Sequence, residues 1–294
     1  MLKGRLGLET ARIPHADRRG LVWLGRGNLT VEDGTLRFKT AGGGRWEAGD
    51  YSIPFQMVTA ILLEPGTTVS HDALRLLARH GTGLVAVGEN GTRFYASMPF
   101  GPDASALARR QVRLWADAEG ERLKVARRMY AWRFGSVLPD ERIDILRGIE
   151  GARMRETYRH LAEQFGVVWK GRRYDRTDPT SNDPVNQAIN HAASAIESAA
   201  LIAVAATGAI PQLGFIHEDS GNAFPLDIAD LYRASITLPA AFAAVRECQR
   251  DPRRPLEQVS RRMAGEAIRE RDLVPAMIDR IKELFDGDDA GGHP

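Results

Sequence analysis

Cysteine is nearly absent from this chain of 294 residues: Cys248 is the only one. That excludes an intramolecular disulfide and points to a reducing compartment. Lysine is almost as scarce. Only Lys3, Lys39, Lys124, Lys170 and Lys282 stand among the 40 basic residues, so 35 are arginine. Walker-type phosphate loops, CxxC, HExxH and GxSxG are all missing, which leaves no sequence support for P-loop, zincin or α/β-hydrolase chemistry. No long uncharged apolar run occurs either. The nearest, Ile196 to Ile216, contains Glu197 and is rich in Ala and Gly, so it predicts a buried core helix and no membrane span. The first ten residues, MLKGRLGLET, lack the apolar stretch of a signal peptide, and the expected location is the cytoplasm.

What is present is an ordinary globular balance, 43% apolar and 27% charged. The length suits about two domains and a large core. Net charge is only +2, but its distribution is uneven: residues 1–103 carry +2, residues 104–175 carry +6 and residues 176–294 carry −6. A basic middle beside an acidic end suits a surface that grips polyanions. GC-rich coding, which favours Arg, Ala and Gly, accounts for the arginine excess equally well.

Residues 1–98 hold about half of the 29 glycines and most of the strand-like pattern. Leu21–Leu24 and Thr59–Leu63 are apolar runs, the second closed by Pro65-Gly66. Asn28–Val31 and Thr35–Lys39 flank Glu32-Asp33-Gly34, a hairpin signal. Gly83–Val87 and Thr92–Ala96 flank Asn90-Gly91, the strongest short hairpin signal. Between them, Ser70 to His80 predicts one short helix with Ser70 as N-cap and Gly81 as its stop. The fold class expected is α+β: a small N-terminal β-rich domain with one short helix (1–98), a linker (99–105), a larger all-α domain (106–285) and a flexible polar tail (286–294). Helical spacing runs over 104–134, from Leu138 to Phe165 with Pro139 at its start, over the Ala-rich 185–207, over 226–246 behind Pro225, and over 260–285 as one helix or a pair. A polar stretch from Trp169 to Pro184 predicts a long loop.

Two clusters could carry chemistry. Asp227 and Asp230 are spaced i, i+3 near the start of the helix expected at 226–246, where the macrodipole favours anions. They either complement that helix start or, with His217 upstream, form a mixed nitrogen and oxygen site for Mg²⁺ or Mn²⁺. In the second cluster, Gly148 and Gly151 flank Glu150 among Arg147, Arg153 and Arg155. Each glycine costs a helix about 1 kcal/mol relative to alanine. The cluster reads either as a salt-bridged surface helix or as a ligand carboxylate framed by phosphate-binding arginines. His71, His80, His160 and His191 fit structural roles.

The segments RGIEGARMR (147–155), GRRYD (171–175), GFIH (214–217) and LDIADLY (226–232) together resemble the CRISPR-associated endonuclease/integrase family numbered one in the Cas series. The stretch from Leu62 to Ser97 is similar to its type I-E, Escherichia-type branch. This resemblance implies a β-sandwich-like N-terminal domain ahead of the helical one. It implies insertion of short foreign DNA into the CRISPR array by 3′-hydroxyl attack on a phosphodiester. It implies Glu150, His217 and Asp230 as ligands of Mg²⁺ or Mn²⁺, with Asp227 as a further catalytic carboxylate. Arg75, Arg93, Arg147, Arg172, Arg173, Tyr174 and Arg246 fall along its DNA path. The implied partners are double-stranded and branched DNA, a second copy in a homodimer, and a small second integrase subunit in a hetero-hexamer of four large and two small chains, with no membrane. One departure stands out: Arg26 and Thr68 replace an end-wedging tyrosine and a basic residue. The competing class is a non-catalytic DNA-binding scaffold on the same fold.

Overall fold

A computed structural model describes residues 18, 20–97, 105–118, 120–136, 142–172, 183–218 and 220–285. The expected linker and tail, and Arg173 and Tyr174, lie wholly or mostly outside these.

Tight turns and alternating apolar residues generate two four-stranded sheets. The first contains, in spatial order, β1 (Leu21–Leu24), β5 (Ala60–Leu63), β7 (Gly83–Val87) and β8 (Phe94–Ser97). Its first three strands are parallel and β8 is antiparallel to β7. The second orders β4 (Gly49–Ser52), β3 (Thr35–Thr40), β2 (Gly27–Glu32) and β6 (Thr67–Val69). The β2–β3 hairpin turns at Asp33 and Gly34, with φ of +49° and +75°, the left-handed pair that a two-residue hairpin requires. Helix α1 (His71–His80) begins where the Ser70 side chain accepts from Ala73 N and ends at left-handed Gly81.

The central strands of the first sheet, β5 and β7, are buried on both faces, while most of the edge strand β8 is exposed. Leu24, Ile61 and Leu84 point to a core shared with Leu29, Leu36 and Phe38 of the second sheet and Leu77 of α1. The alternate residues Ala60, Leu62, Val85 and Val87 join a second core built largely from helices. Two buried faces explain why β5 and β7 read as continuous apolar runs.

Behind this sheet stand α2 (Ser105–Ala116), α3 (Glu121–Phe134), α4 (Ile143–Phe165), α5 (Pro184–Thr207), α6 (Ala223–Asp230), α7 (Leu238–Arg250), α8 (Leu256–Glu270) and α9 (Leu273–Phe285). Among the described residues α5 alone is long and apolar enough to cross a membrane. It is instead the central helix of this half, packed against α6, α7, α8 and α9. At the seam between the halves, Gly265 of α8 meets the β7–β8 connection so closely that a methyl group there would lie 2.9 Å from Thr92 Cγ2. Arg93 pairs with Glu257 across the same seam at 3.5 Å.

Three local expectations need correction. The helical run over 104–134 is two helices, broken where the Asp117 carboxylate accepts from Gly120 N and Glu121 N. The run over 226–246 is also two: α6 ends at Asp230, Arg233–Thr237 forms a π-helical turn, and the axis bends by 62°. A π turn is a recognised cause of such a kink, and Pro239 in the first turn of α7 marks the restart. The Asn90-Gly91 connection is longer than a two-residue hairpin, because Glu89–Gly91 forms a 3₁₀ turn with Asn90 at φ +54°.

Candidate active site

The bend after α6 decides where the paired aspartates go. Asp227 lies inside α6 and is fully buried. Asp230 is the last residue of that helix, not near its start as the sequence spacing suggested. A carboxylate at a helix C-terminus faces the negative end of the dipole and calls for cations. Two arginines answer it: Arg133 Nη2 lies 3.3 Å from Asp230 Oδ2, and Arg233 Nη1 lies 3.4 Å from Asp230 Oδ1. Arg233 comes from the π turn itself and also donates to the Tyr158 hydroxyl at 3.3 Å.

Asp227 organises the chain that carries His217. Its Oδ2 accepts from Phe215 N at 2.6 Å and Ile216 N at 3.1 Å, and its Oδ1 from His217 N at 3.0 Å. The same Oδ1 is 2.7 Å from His217 Nδ1. That bond makes Nδ1 the protonated nitrogen and turns Nε2 toward Asp230, whose Oδ2 is 3.9 Å away. The bond to Asp227 also raises the His217 pKa, against the opposing effect of burial. Gly214 permits the fold-back. A methyl group there would sit 2.3 Å from His217 O and 2.8 Å from Ala223 Cβ. Helix α2 ties the segment from behind: buried Gln111 donates to Ile210 O and Leu213 O and accepts from Ile210 N, and Trp115 donates to Gly214 O. Arg147 Nη2 donates to Ile216 O at 3.0 Å.

Glu150 arrives from α4. Its carboxylate contacts Arg133 Nη2, the same nitrogen that approaches Asp230. The side chains of Arg133, Glu150 and Asp230 are only 7%, 19% and 20% exposed. Thus Glu150 and Asp230, far apart in sequence, meet at one guanidinium, and His217 stands beside Asp230. Among the described residues no three His, Cys, Asp or Glu side chains are spaced to hold an ion as they stand; the point where Glu150 and Asp230 converge is filled by Arg133. Tyr130, under Arg133 with its ring centroid 5.5 Å from Cζ, keeps a buried hydroxyl beside Arg147 without completing a hydrogen bond.

The glycines beside Glu150 are not tightly packed: a methyl group at Gly148 would find nothing within 4 Å among the described residues, and one at Gly151 only Arg155 Nη1 at 3.7 Å. Arg153 donates to Phe134 O and lies over the Phe134 ring, the tying role of an ordinary helix face. Arg172 bridges Asn186 and Asn190 at the start of α5. Arg75 is exposed and pairs with Asp72, Arg93 spans the seam, and Arg246 is exposed on α7. Arg26 and Thr68 are exposed on the rim formed by β2 and β6.

Arg133 and Arg233 escaped the reading of the sequence. A signal for Arg133 exists. It follows Ala126, Met129 and Tyr130 at helical spacing, all of them buried, so an arginine falls on the inward face of α3 and demands an acidic partner.

Fold and site together define an α+β protein with an acid–imidazole–guanidinium centre in its helical half. A family model described as CRISPR associated protein Cas1 matches residues 21–138 and 131–254. The CRISPR-associated endonuclease Cas1 of Escherichia coli (strain K12) is 40% identical over 268 residues, 91% of this chain and 86% of that protein. Its counterpart in Geobacter sulfurreducens is 38% identical over 275 residues, 93% and 86% of the two chains. A solved complex of TtCas1 with DNA superposes with a TM-score of 0.81 at 34% identity, covering 93% of this chain and 98% of the other. The chain belongs to the CRISPR-associated Cas1 family.

Proposed function

We propose that the protein is a metal-dependent DNA endonuclease and integrase of CRISPR adaptation, acting in the cytoplasm on double-stranded and branched DNA. The observation that supports this reading is the approach of Glu150 and Asp230 to one Arg133 nitrogen, with His217 Nε2 3.9 Å from Asp230 Oδ2 and Asp227 fixing the imidazole. The names of the relatives and the DNA bound to TtCas1 support it.

Two carboxylates and an imidazole nitrogen form a donor set suited to Mg²⁺ or Mn²⁺, and Glu150, His217 and Asp230 would hold the ion once Arg133 moved aside. When bound, such an ion supplies Lewis acidity at the phosphoryl oxygen and a lower pKa for the attacking hydroxyl or water. The chain contributes orientation. Asp227 holds the proton on His217 Nδ1 and leaves the Nε2 lone pair free, an arrangement of carboxylate behind imidazole that fixes tautomer and ring direction. Arg147 and the α2 side chains keep the 210–217 segment in place. Arg75, Arg93, Arg147, Arg172 and Arg246, with Arg173 and Tyr174, would meet the DNA backbone, and binding would weaken steeply with salt. Assembly as a homodimer, with two such dimers flanking a small second subunit, belongs to the same proposal.

The test is strand transfer and cleavage on branched DNA with Mg²⁺ or Mn²⁺. Glu150→Gln, His217→Ala and Asp230→Asn should each cut turnover by about a thousandfold or more, the scale of several kcal/mol of lost transition-state stabilisation, while DNA affinity changes little. Undiminished activity in His217→Ala and Asp230→Asn sinks the site. Activity that persists in chelator sinks metal dependence. DNA binding with no nicking under any metal favours the scaffold.

A further inference from the structure

Arg133 is the one cation that touches both Glu150 and Asp230 among the described residues. It comes from a third helix, it is nearly buried, and the same nitrogen atom serves both carboxylates. Two carboxylates this close in a partly desolvated setting repel unless a positive charge lies between them. A divalent ion bound to Glu150 and Asp230 would have to take the place of that nitrogen, because two cations cannot share the spot. The second arginine on Asp230 does not conflict in this way. Arg233 reaches the other oxygen, Oδ1, and has Tyr158 as a further partner. Arg133 also has somewhere to go, since its guanidinium already lies near the face of Tyr130, a surface that attracts cations.

We propose that Arg133 is a built-in counter-ion: it holds Glu150 and Asp230 together in the metal-free protein and competes with the divalent ion for them. Ion binding and release of the guanidinium are then a single exchange. Arg133 is a positioning residue, acting on the donors and not on substrate. The inference rests on the metal reading above, yet it makes a different demand. Removing Arg133 must strengthen ion binding while weakening the ion-free fold.

The experiment uses the full-length metal-stripped protein and Mn²⁺ alone as the probe. Free Mn²⁺ is followed by electron paramagnetic resonance, and melting is recorded in chelator and in Mn²⁺. Arg133→Gln should bind Mn²⁺ at least about tenfold more tightly, the smallest effect a neighbouring charge has on a carboxylate's affinity for a cation such as the proton. It should melt lower than wild type in chelator and recover more of that loss on adding Mn²⁺. Arg133→Lys, which keeps the charge and folds without the planar fork, should fall between the two. Equal or weaker Mn²⁺ binding in both variants, in a protein whose binding is lost with Glu150→Gln or Asp230→Asn, overturns the counter-ion and leaves the metal reading standing. Saturable binding in neither wild type nor variants overturns the metal reading and the counter-ion with it.

Discussion

The two sides of the site are held by opposite means. On one side, the His217 segment is fastened by a buried carboxylate, three backbone N–H groups, a glycine with no room for a side chain and a second helix gripping it from behind. On the other, Glu150 and Asp230 are linked by one shared guanidinium, and Asp230 has a second in Arg233. The first side is pinned through its backbone. The second rests on a side-chain cation, which the counter-ion proposal would exchange for an ion. The metal-dependent reaction proposed above would use both: a fixed imidazole for direction and a pair of carboxylates whose partner can change.

That contrast can be broken experimentally. The largest structural effect should come from Asp227→Ala, which strands three N–H donors and the His217 ring. It should cost about 3 kcal/mol or more in chemical denaturation, as for other buried ionic partners. Asp230→Ala, read in the same assay, should cost far less. A similar cost for the two would erase the distinction. Gly214→Ala comes next. The added methyl must displace His217 O or Ala223, costing about 1–3 kcal/mol, the range for overpacking, and activity should fall with it. An alanine tolerated without loss of either would mean the fold-back is not tightly packed.

A smaller effect separates the two sides by pH. His217 in the folded protein has its pKa raised by Asp227. Folding therefore gains from the protonated ring below the unfolded value of about 6.5 and loses that gain as pH climbs through the higher folded value. In chelator, the stability difference between wild type and His217→Gln should be greater at about pH 5.5 than at about pH 8.5. A difference that grows with pH would contradict the hydrogen bond to Asp227. The smallest effect belongs to the exposed seam pair: Arg93→Gln, which leaves the closer Arg261–Glu257 pair intact, should change stability by about 1 kcal/mol or less, since such pairs are solvent-screened. A larger loss would make Arg93 a structural anchor and weaken its assignment to DNA.

Much of this architecture was legible from local chemistry. Ser70 and Gly81 mark the ends of α1 to the residue, and Asp33-Gly34 turns where the sequence says it should. Such signals act over three or four residues, so one sequence displays them. The π turn at 233–237 was missed because its cause is distributed: nothing but Pro239 interrupts the helical spacing, and the bend depends on how α6 and α7 pack around α5. The same non-locality hid the division of labour between Asp227 and Asp230. A spacing of three puts both on one side of a helix, but not which one is buried under a segment ten residues upstream. Glu150 and His217 stood out in two separate local patterns, and only the resemblance joined them in one ligand set. Their relative placement required the fold.

The central strands β5 and β7 are wetted on neither broad side, and this makes the chain a poor subject for dissection. Separating it near residue 100 would leave the helical half with a bare greasy wall where Ala60, Leu62, Val85 and Val87 had been. Neither fragment would be content in water. The strand-rich half is thus the cover that keeps the helical half's interior dry.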